Sequence, residues 1–190
     1  MTAATRLKSK QNTDADPVCI GVFSHRLVLG DVMKKQAWQY AGWILLSEAV
    51  GLLSAWLTRG NMDLYTQQIV QPPLSPPAIV FPIVWTILYA LMGVGAARVS
   101  LSEDSLARDW ALTIFIAQLA VNFFWSLFFF NAQAFGFSYL WLLLLVALVA
   151  VMVYLFWRVD PLAGILQLPY LLWVIFASYL NLGVWLMNRA

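Results

Sequence analysis

Apolar positions run through this chain in long unbroken blocks rather than in alternation. Blocks at Trp38–Leu57, Ile79–Val99, Trp110–Phe130, Phe135–Trp157 and Leu162–Met187 each approach the roughly 20 residues that a bilayer core requires of a helix. Membrane strands would be shorter, about 10 residues, and would alternate apolar with polar. The pattern therefore predicts an all-α polytopic membrane protein, with five transmembrane helices forming one bundle over residues 38–190. Polar breaks separate the blocks. They are a long first loop, Thr58–Ala78, then Ser100–Asp109, a tight turn near Asn131–Ala134, and Arg158–Pro161. Asp160-Pro161 reads as a turn that restarts a helix.

Residues 1–37 break the pattern, because charged residues interrupt every short apolar run. The patch from Val18 to Leu29 contains His25 and Arg26, which removes the continuous apolar core that a signal peptide needs. This segment is expected to be a polar tail, disordered or interfacial, with a short interfacial helix from Val22 to Lys34. Thr2 replaces the glycine that an N-myristoyl signal requires.

Composition strengthens the membrane reading. The chain is 62% hydrophobic and 11% charged, whereas soluble domains are about half apolar and a quarter charged. Its mean hydropathy is +0.77. A net charge of +2 implies no nucleic-acid surface. One cysteine, Cys19, and one histidine, His25, leave too few ligands for a disulfide framework or the usual Cys/His metal sites. The distribution of charge is more telling than its sum. With five spans, Arg6, Lys8, Lys10, Arg26, Lys34, Lys35, Arg98, Arg108 and Arg158 share one side, and Arg59 and Arg189 the other. Nine of the 11 basic residues on one side predict a cytoplasmic N-terminus in a bacterial cytoplasmic membrane.

The candidate chemistry lies in the aromatic and amide residues. Of 10 tryptophans, Trp38, Trp56, Trp110, Trp157 and Trp185 fall at span ends, where interfacial anchoring accounts for them. Trp43, Trp85, Trp125, Trp141 and Trp173 fall inside, where an indole N–H needs a partner. At 1.5 Å per residue, Trp85, Trp125 and Trp141 each lie about 8–9 Å below the outer surface. One depth suggests one aromatic cavity; bundle packing is the alternative. Gln118, Asn122 and Trp125 follow i, i+4, i+7 spacing and share a helix face, as do Tyr170, Trp173, Ala177 and Asn181. Glu48 stands near mid-membrane, as a clamp between helices or a group that handles a ligand or proton. Pro72, Pro73, Pro76 and Pro77 stiffen the approach to the second span. This loop is a candidate lid over the cavity.

Three strings carry a family resemblance: PPLSPPAIVFPIVWTILYALMG at Pro72–Gly93, AQLAVNFFWSLFFF at Ala117–Phe130, and LPYLLWVIFASYLNLGVW at Leu168–Trp185. In this order, over about Gly42 to Asn188, they resemble the TspO/MBR family of translocator and tryptophan-rich sensory proteins. The resemblance implies a five-helix bundle, usually a homodimer, with a pocket opening near the first loop. It implies binding of tetrapyrroles such as protoporphyrin IX or haem, as ligands rather than required cofactors. The residues it designates are Trp85, Tyr89, Asn122, Trp125, Trp173 and Asn181; depth alone adds Trp141. It also implies, for some bacterial members, light-dependent porphyrin degradation. Two departures stand out: Ile79 follows Ala78 where many members have a tryptophan, and Leu182 follows Asn181 where the sterol-recognition segment has an aromatic residue. The expected function is a binding and sensing protein, with porphyrin degradation or tetrapyrrole transport as alternatives. No acid–base pair or nucleophile supports conventional catalysis, and no inverted repeat supports alternating access.

Overall fold

The computed structural model describes the backbone of residues 17–189 and the side chains of residues 32–61 and 67–189. Its chain order is α1 (Pro17–Gln68), α2 (Val80–Ser100), α3 (Leu106–Ser126), a π turn (Leu127–Asn131), α4 (Phe135–Val159), α5 (Pro161–Leu166) and α6 (Leu168–Asn188). Contacts divide the chain into residues 1–37 and 38–190. In the first unit the backbone is helical from Pro17 onward, where the sequence predicts a helix only from Val22. The tail reading for residues 1–16 lies outside the described residues.

The second unit is the all-α membrane fold the hydropathy pattern predicts. Among the described residues, five helical stretches are long and apolar enough to cross a bilayer: Val32–Asn61, Val80–Ser100, Leu106–Asn131, Phe135–Val159 and Pro161–Asn188. Apolar side chains lie on both sides of such helices, because lipid tails are as apolar as leucine. Polar and small residues therefore distinguish the interior. Along α1, Trp38, Leu45, Leu52 and Trp56 are exposed, whereas Ser47, Ser54 and Thr58 are buried on the other face. Two of these hydroxyls find partners on the helix backbone. Ser47 Oγ donates to Trp43 O at 3.0 Å and Thr58 Oγ1 to Ser54 O at 2.9 Å, each within its own helix.

Close helix approach depends on glycine at two points. A Cβ on Gly93 would collide with the Ile44 backbone, and one on Gly51 with the Tyr89 ring. Both residues sit where α1 meets α2, so the small-residue positions bring backbone against backbone and backbone against ring. At the basic end, Arg98 pairs with Asp160 at 2.7 Å. Asp160 also caps α5, accepting from the N–H groups of Leu162 at 2.9 Å and Ala163 at 3.2 Å. The Asp160-Pro161 turn thus starts a helix and ties it to α2.

Three boundaries depart from the sequence reading. The first loop does not begin at Thr58, because α1 continues to Gln68. No proline intervenes before Pro72, and Gly60 alone does not end a helix already packed for several turns. The connection is residues 69–79, with Pro82 inside the first turn of α2. Secondly, α3 does not run straight to Phe130. It ends in the π turn, where Ala132 N–H donates to Leu127 O across five residues at 3.0 Å. Asn131 then reaches α1, donating to Leu57 O at 3.2 Å and accepting from Asn61 at 2.8 Å. Thirdly, the last span is two helices. Pro169 stands in the first turn of α6 and has no N–H to continue the ladder from α5. The buried Gln167 at the break donates through Nε2 to Leu91 O and Ala163 O, both at 3.3 Å.

Candidate functional site

The α3 face read from the sequence faces inward, and each of its polar residues is bonded to another helix. Gln118 Oε1 accepts from Tyr170 Oη on α6 at 2.8 Å, and its Nε2 donates to Met92 Sδ on α2 at 3.7 Å. One turn further, Asn122 Nδ2 donates to Tyr89 Oη on α2 at 3.1 Å. The next turn presents Trp125, whose Nε1 donates to Asn181 Oδ1 on α6 at 3.1 Å. Asn181 is shared further: its Oδ1 also accepts from Ser138 Oγ on α4 at 3.2 Å, and its Nδ2 donates to Phe135 O at 3.0 Å. The result is a column of amide and hydroxyl groups running up α3, each satisfied as a low-dielectric interior demands.

Rings close the sides of the column. Trp85 stacks on Tyr89 with centroids 5.4 Å apart and meets Tyr170 edge-on at 6.1 Å. Trp125 stacks on Phe129 at 5.3 Å. Five of the seven predicted residues are thereby brought together: Trp85, Tyr89, Asn122, Trp125 and Asn181. They are packed, not splayed around an open space. Tyr89 is 6% exposed, Asn122 and Asn181 1% each, and Trp125 9%. A ligand reaches these four only if side chains move.

The other two residues stand apart from this column. Trp141 Nε1 donates to Val121 O at 2.8 Å, and its ring meets Phe128 at 5.2 Å and Phe137 at 6.0 Å. Those contacts lie between α3 with its π turn and α4, and none of them is to a residue of the column. Trp173 meets Phe81 at 6.0 Å and Phe176 at 5.7 Å. It lines an apolar groove of about 400 Å³ between α2 and α6, with Val84, Ile87, Leu88, Pro169, Leu172 and Phe176. Its Nε1 is buried and lacks a hydrogen-bond partner among the described residues. This unsatisfied indole N–H, buried beside the groove, is a donor left to bond a ligand oxygen once a neighbouring side chain moves.

Sequence reasoning missed Ser138, Tyr179 and Asn188. Ser138 carried a signal, being a small hydroxyl residue early in a largely apolar span. Tyr179 and Asn188 hold the proline-rich connection. Tyr179 Oη donates to Pro73 O at 3.0 Å, while Asn188 bonds both the N–H and the C=O of Val70. Pro72 is buried against Gly183. Leu74 takes a positive φ of 69°, an uncommon conformation for a branched residue, at the tip of this turn.

A helical membrane bundle with an aromatic column threaded by amides is the class these features define. Residues 43–186 match the sequence model of the TspO/MBR family, and the chain belongs to that family. It is 34% identical over 168 residues to the tryptophan-rich protein TspO of Chlorobaculum tepidum, covering 82% of this chain and 99% of that one. It is 39% identical over 119 residues to protein CrtK of Rhodobacter capsulatus, covering 62% and 74%. It is 31% identical over 150 residues to the translocator protein of Bos taurus, covering 78% and 89%.

Proposed function

We propose that the chain binds porphyrin-type tetrapyrroles, protoporphyrin IX or haem, and similar flat apolar amphiphiles. The site is formed by Trp85, Tyr89, Asn122, Trp125, Trp173 and Asn181. The observation that carries this reading is the combination of a satisfied aromatic–amide column with one unsatisfied indole, Trp173, on the adjoining groove. A flat macrocycle gains about 25 cal/mol for each Å² of apolar surface it buries. A peripheral carboxylate or carbonyl would meet the Trp173 N–H. The membrane setting is that of a multi-pass protein, and the bias of basic residues supports a cytoplasmic N-terminus in a bacterial membrane. Assembly as a homodimer belongs to the same proposal and rests on the family resemblance. Relatives named translocator and tryptophan-rich sensory protein are consistent with a ligand-binding role.

Titration of protoporphyrin IX into the purified protein tests the reading by quenching of tryptophan fluorescence. Saturable quenching is expected, with affinity falling about tenfold or more in the Trp125→Phe/Trp173→Phe variant. Identical titrations of the two proteins would remove the site as proposed.

A further inference from the structure

A second groove lies at the basic end of the bundle, among α1, α2 and α3, and shares no residue with the aromatic column. It has a volume of about 500 Å³. Its mouth is polar: Gln39, Ser100 and Arg108 line it, and Trp43 Nε1 donates to Ser100 Oγ at 2.9 Å. Ser100 Oγ in turn lies 3.3 Å from Gln39 Oε1. The floor is apolar, formed by Leu46 and Leu112. Leu112 is one helical turn beyond Arg108, about 6 Å deeper, and Leu46 two turns beyond Gln39, about 10 Å deeper. The space beside Gly42 is open, since a Cβ there would meet nothing within 4 Å, so a larger side chain at this position would enter the groove.

The charges at the mouth specify the head group. Arg108 has five N–H donors. Three are engaged: Nη1 with Asp104 Oδ1, Nε with Asp109 Oδ1 at 3.3 Å, and Nη2 with the same oxygen at 3.2 Å. Two N–H groups remain for an anion. Each aspartate keeps its second carboxylate oxygen, and both side chains are well exposed, 91% for Asp104 and 62% for Asp109. One guanidinium between two carboxylates carries a local charge of −1, which opposes a purely anionic ligand. It complements a phosphate joined to an ammonium group, the phosphate on Arg108 and the ammonium donating to the aspartates.

We infer that this groove holds one phospholipid with an ethanolamine head group, drawn from the leaflet at the basic end. The head lies against Arg108, Asp104 and Asp109, and one acyl chain runs along Leu46 and Leu112. The inference is independent of tetrapyrrole binding at the other site.

Native mass spectrometry of the detergent-purified protein, exposed to equimolar phosphatidylethanolamine, phosphatidylcholine and phosphatidylglycerol, is the test. One retained phosphatidylethanolamine is expected, in preference to the other two, because a trimethylated ammonium donates no hydrogen bond and glycerol carries no positive charge. Gly42→Leu fills the groove and is expected to cut retention about tenfold, and Arg108→Gln at least threefold. Preference for phosphatidylglycerol, or equal retention of phosphatidylcholine, would overturn the head-group assignment. Wild-type retention by folded Gly42→Leu would overturn the site. Should that variant not fold, unchanged retention by Arg108→Gln decides against the proposal in the same way.

Discussion

Asn188 grips the backbone of Val70 with both ends of its amide: Oδ1 accepts from the Val70 N–H at 2.9 Å, and Nδ2 donates to the Val70 carbonyl at 2.9 Å. The side chain thereby mimics a paired strand, and it joins the start of the proline-rich connection to the end of α6. Tyr179 makes the second attachment, at Pro73. Each such bond contributes about 0.5–1.5 kcal/mol. Asn188→Ala combined with Tyr179→Phe is expected to release the connection without unfolding the bundle. Limited proteolysis should then cleave within residues 69–79 several times faster. Protoporphyrin affinity should fall, since a loop already held in place has less entropy to lose on closing over a ligand. Unchanged affinity would make this segment a connector and not a lid.

Replacing Pro72, Pro73, Pro76 and Pro77 with alanine tests the same segment from the unfolded side. Pro72 is buried against Gly183, so one contact is lost, but the larger effect is the added freedom of the chain. Ligand affinity is expected to fall while the helical circular-dichroism signal stays constant.

The Trp125–Asn181 bond is expected to matter asymmetrically. Asn181→Leu leaves the Trp125 N–H without its acceptor, at a cost of about 1–3 kcal/mol, and also removes the Asn181 bond to Phe135 O, while the Ser138 hydroxyl keeps its bond to Phe135 O at 3.0 Å. Trp125→Phe removes only one donor, and Ser138 still occupies Asn181 Oδ1. Thermal unfolding in detergent should therefore show a larger loss for Asn181→Leu. A double variant that is no worse than Asn181→Leu would show that the two residues act through one bond.

Trp141 supplies an internal control for the proposed site. Its N–H is bonded to Val121 O and its ring packs on phenylalanines of the α3–α4 side. Trp141→Phe should lower thermal stability yet leave protoporphyrin affinity within about twofold. A tenfold loss of affinity would return Trp141 to the site.

Two glycines make opposite predictions from the same substitution. Gly93→Ala drives a methyl into the Ile44 backbone and should destabilise the bundle by about 1–3 kcal/mol. Gly42→Ala meets open space and should be neutral or slightly stabilising, because alanine favours a helix by about 1 kcal/mol over glycine. Equal unfolding temperatures for the two variants would contradict the close α1–α2 contact.

The fold was legible because a bilayer demands long apolar blocks, and the chain has them. The α3 face was legible for a related reason: an amide inside a span must find a partner, so i, i+4, i+7 spacing of Gln118, Asn122 and Trp125 already implied an inward column. Trp141 shows the limit of that reasoning. Counting residues from a span end fixes height along the helix, but not the side toward which a ring points. The late end of α1 and the break at Gln167 were hidden for another reason. Gly60 and Pro169 are each compatible with a helix in some settings, and tertiary contacts decide between the options. The grip of Asn188 on Val70 joins residues 118 positions apart and has no local signature at all.

The π turn at Leu127–Asn131 has a consequence for chain length. A π turn holds one residue more than an α-helical path would use. Deleting one of Phe128, Phe129 or Phe130 removes that extra residue and returns this turn to an ordinary α-helix, with Asn131 still on the side of Leu57 and Asn61. A deletion in the straight part of α3 has no such slack: it turns everything after it by about 100° and carries Asn131 away from α1. At this point the number of residues, more than their identity, couples two spans, and the π turn is where the chain takes up one residue more than a plain helix holds.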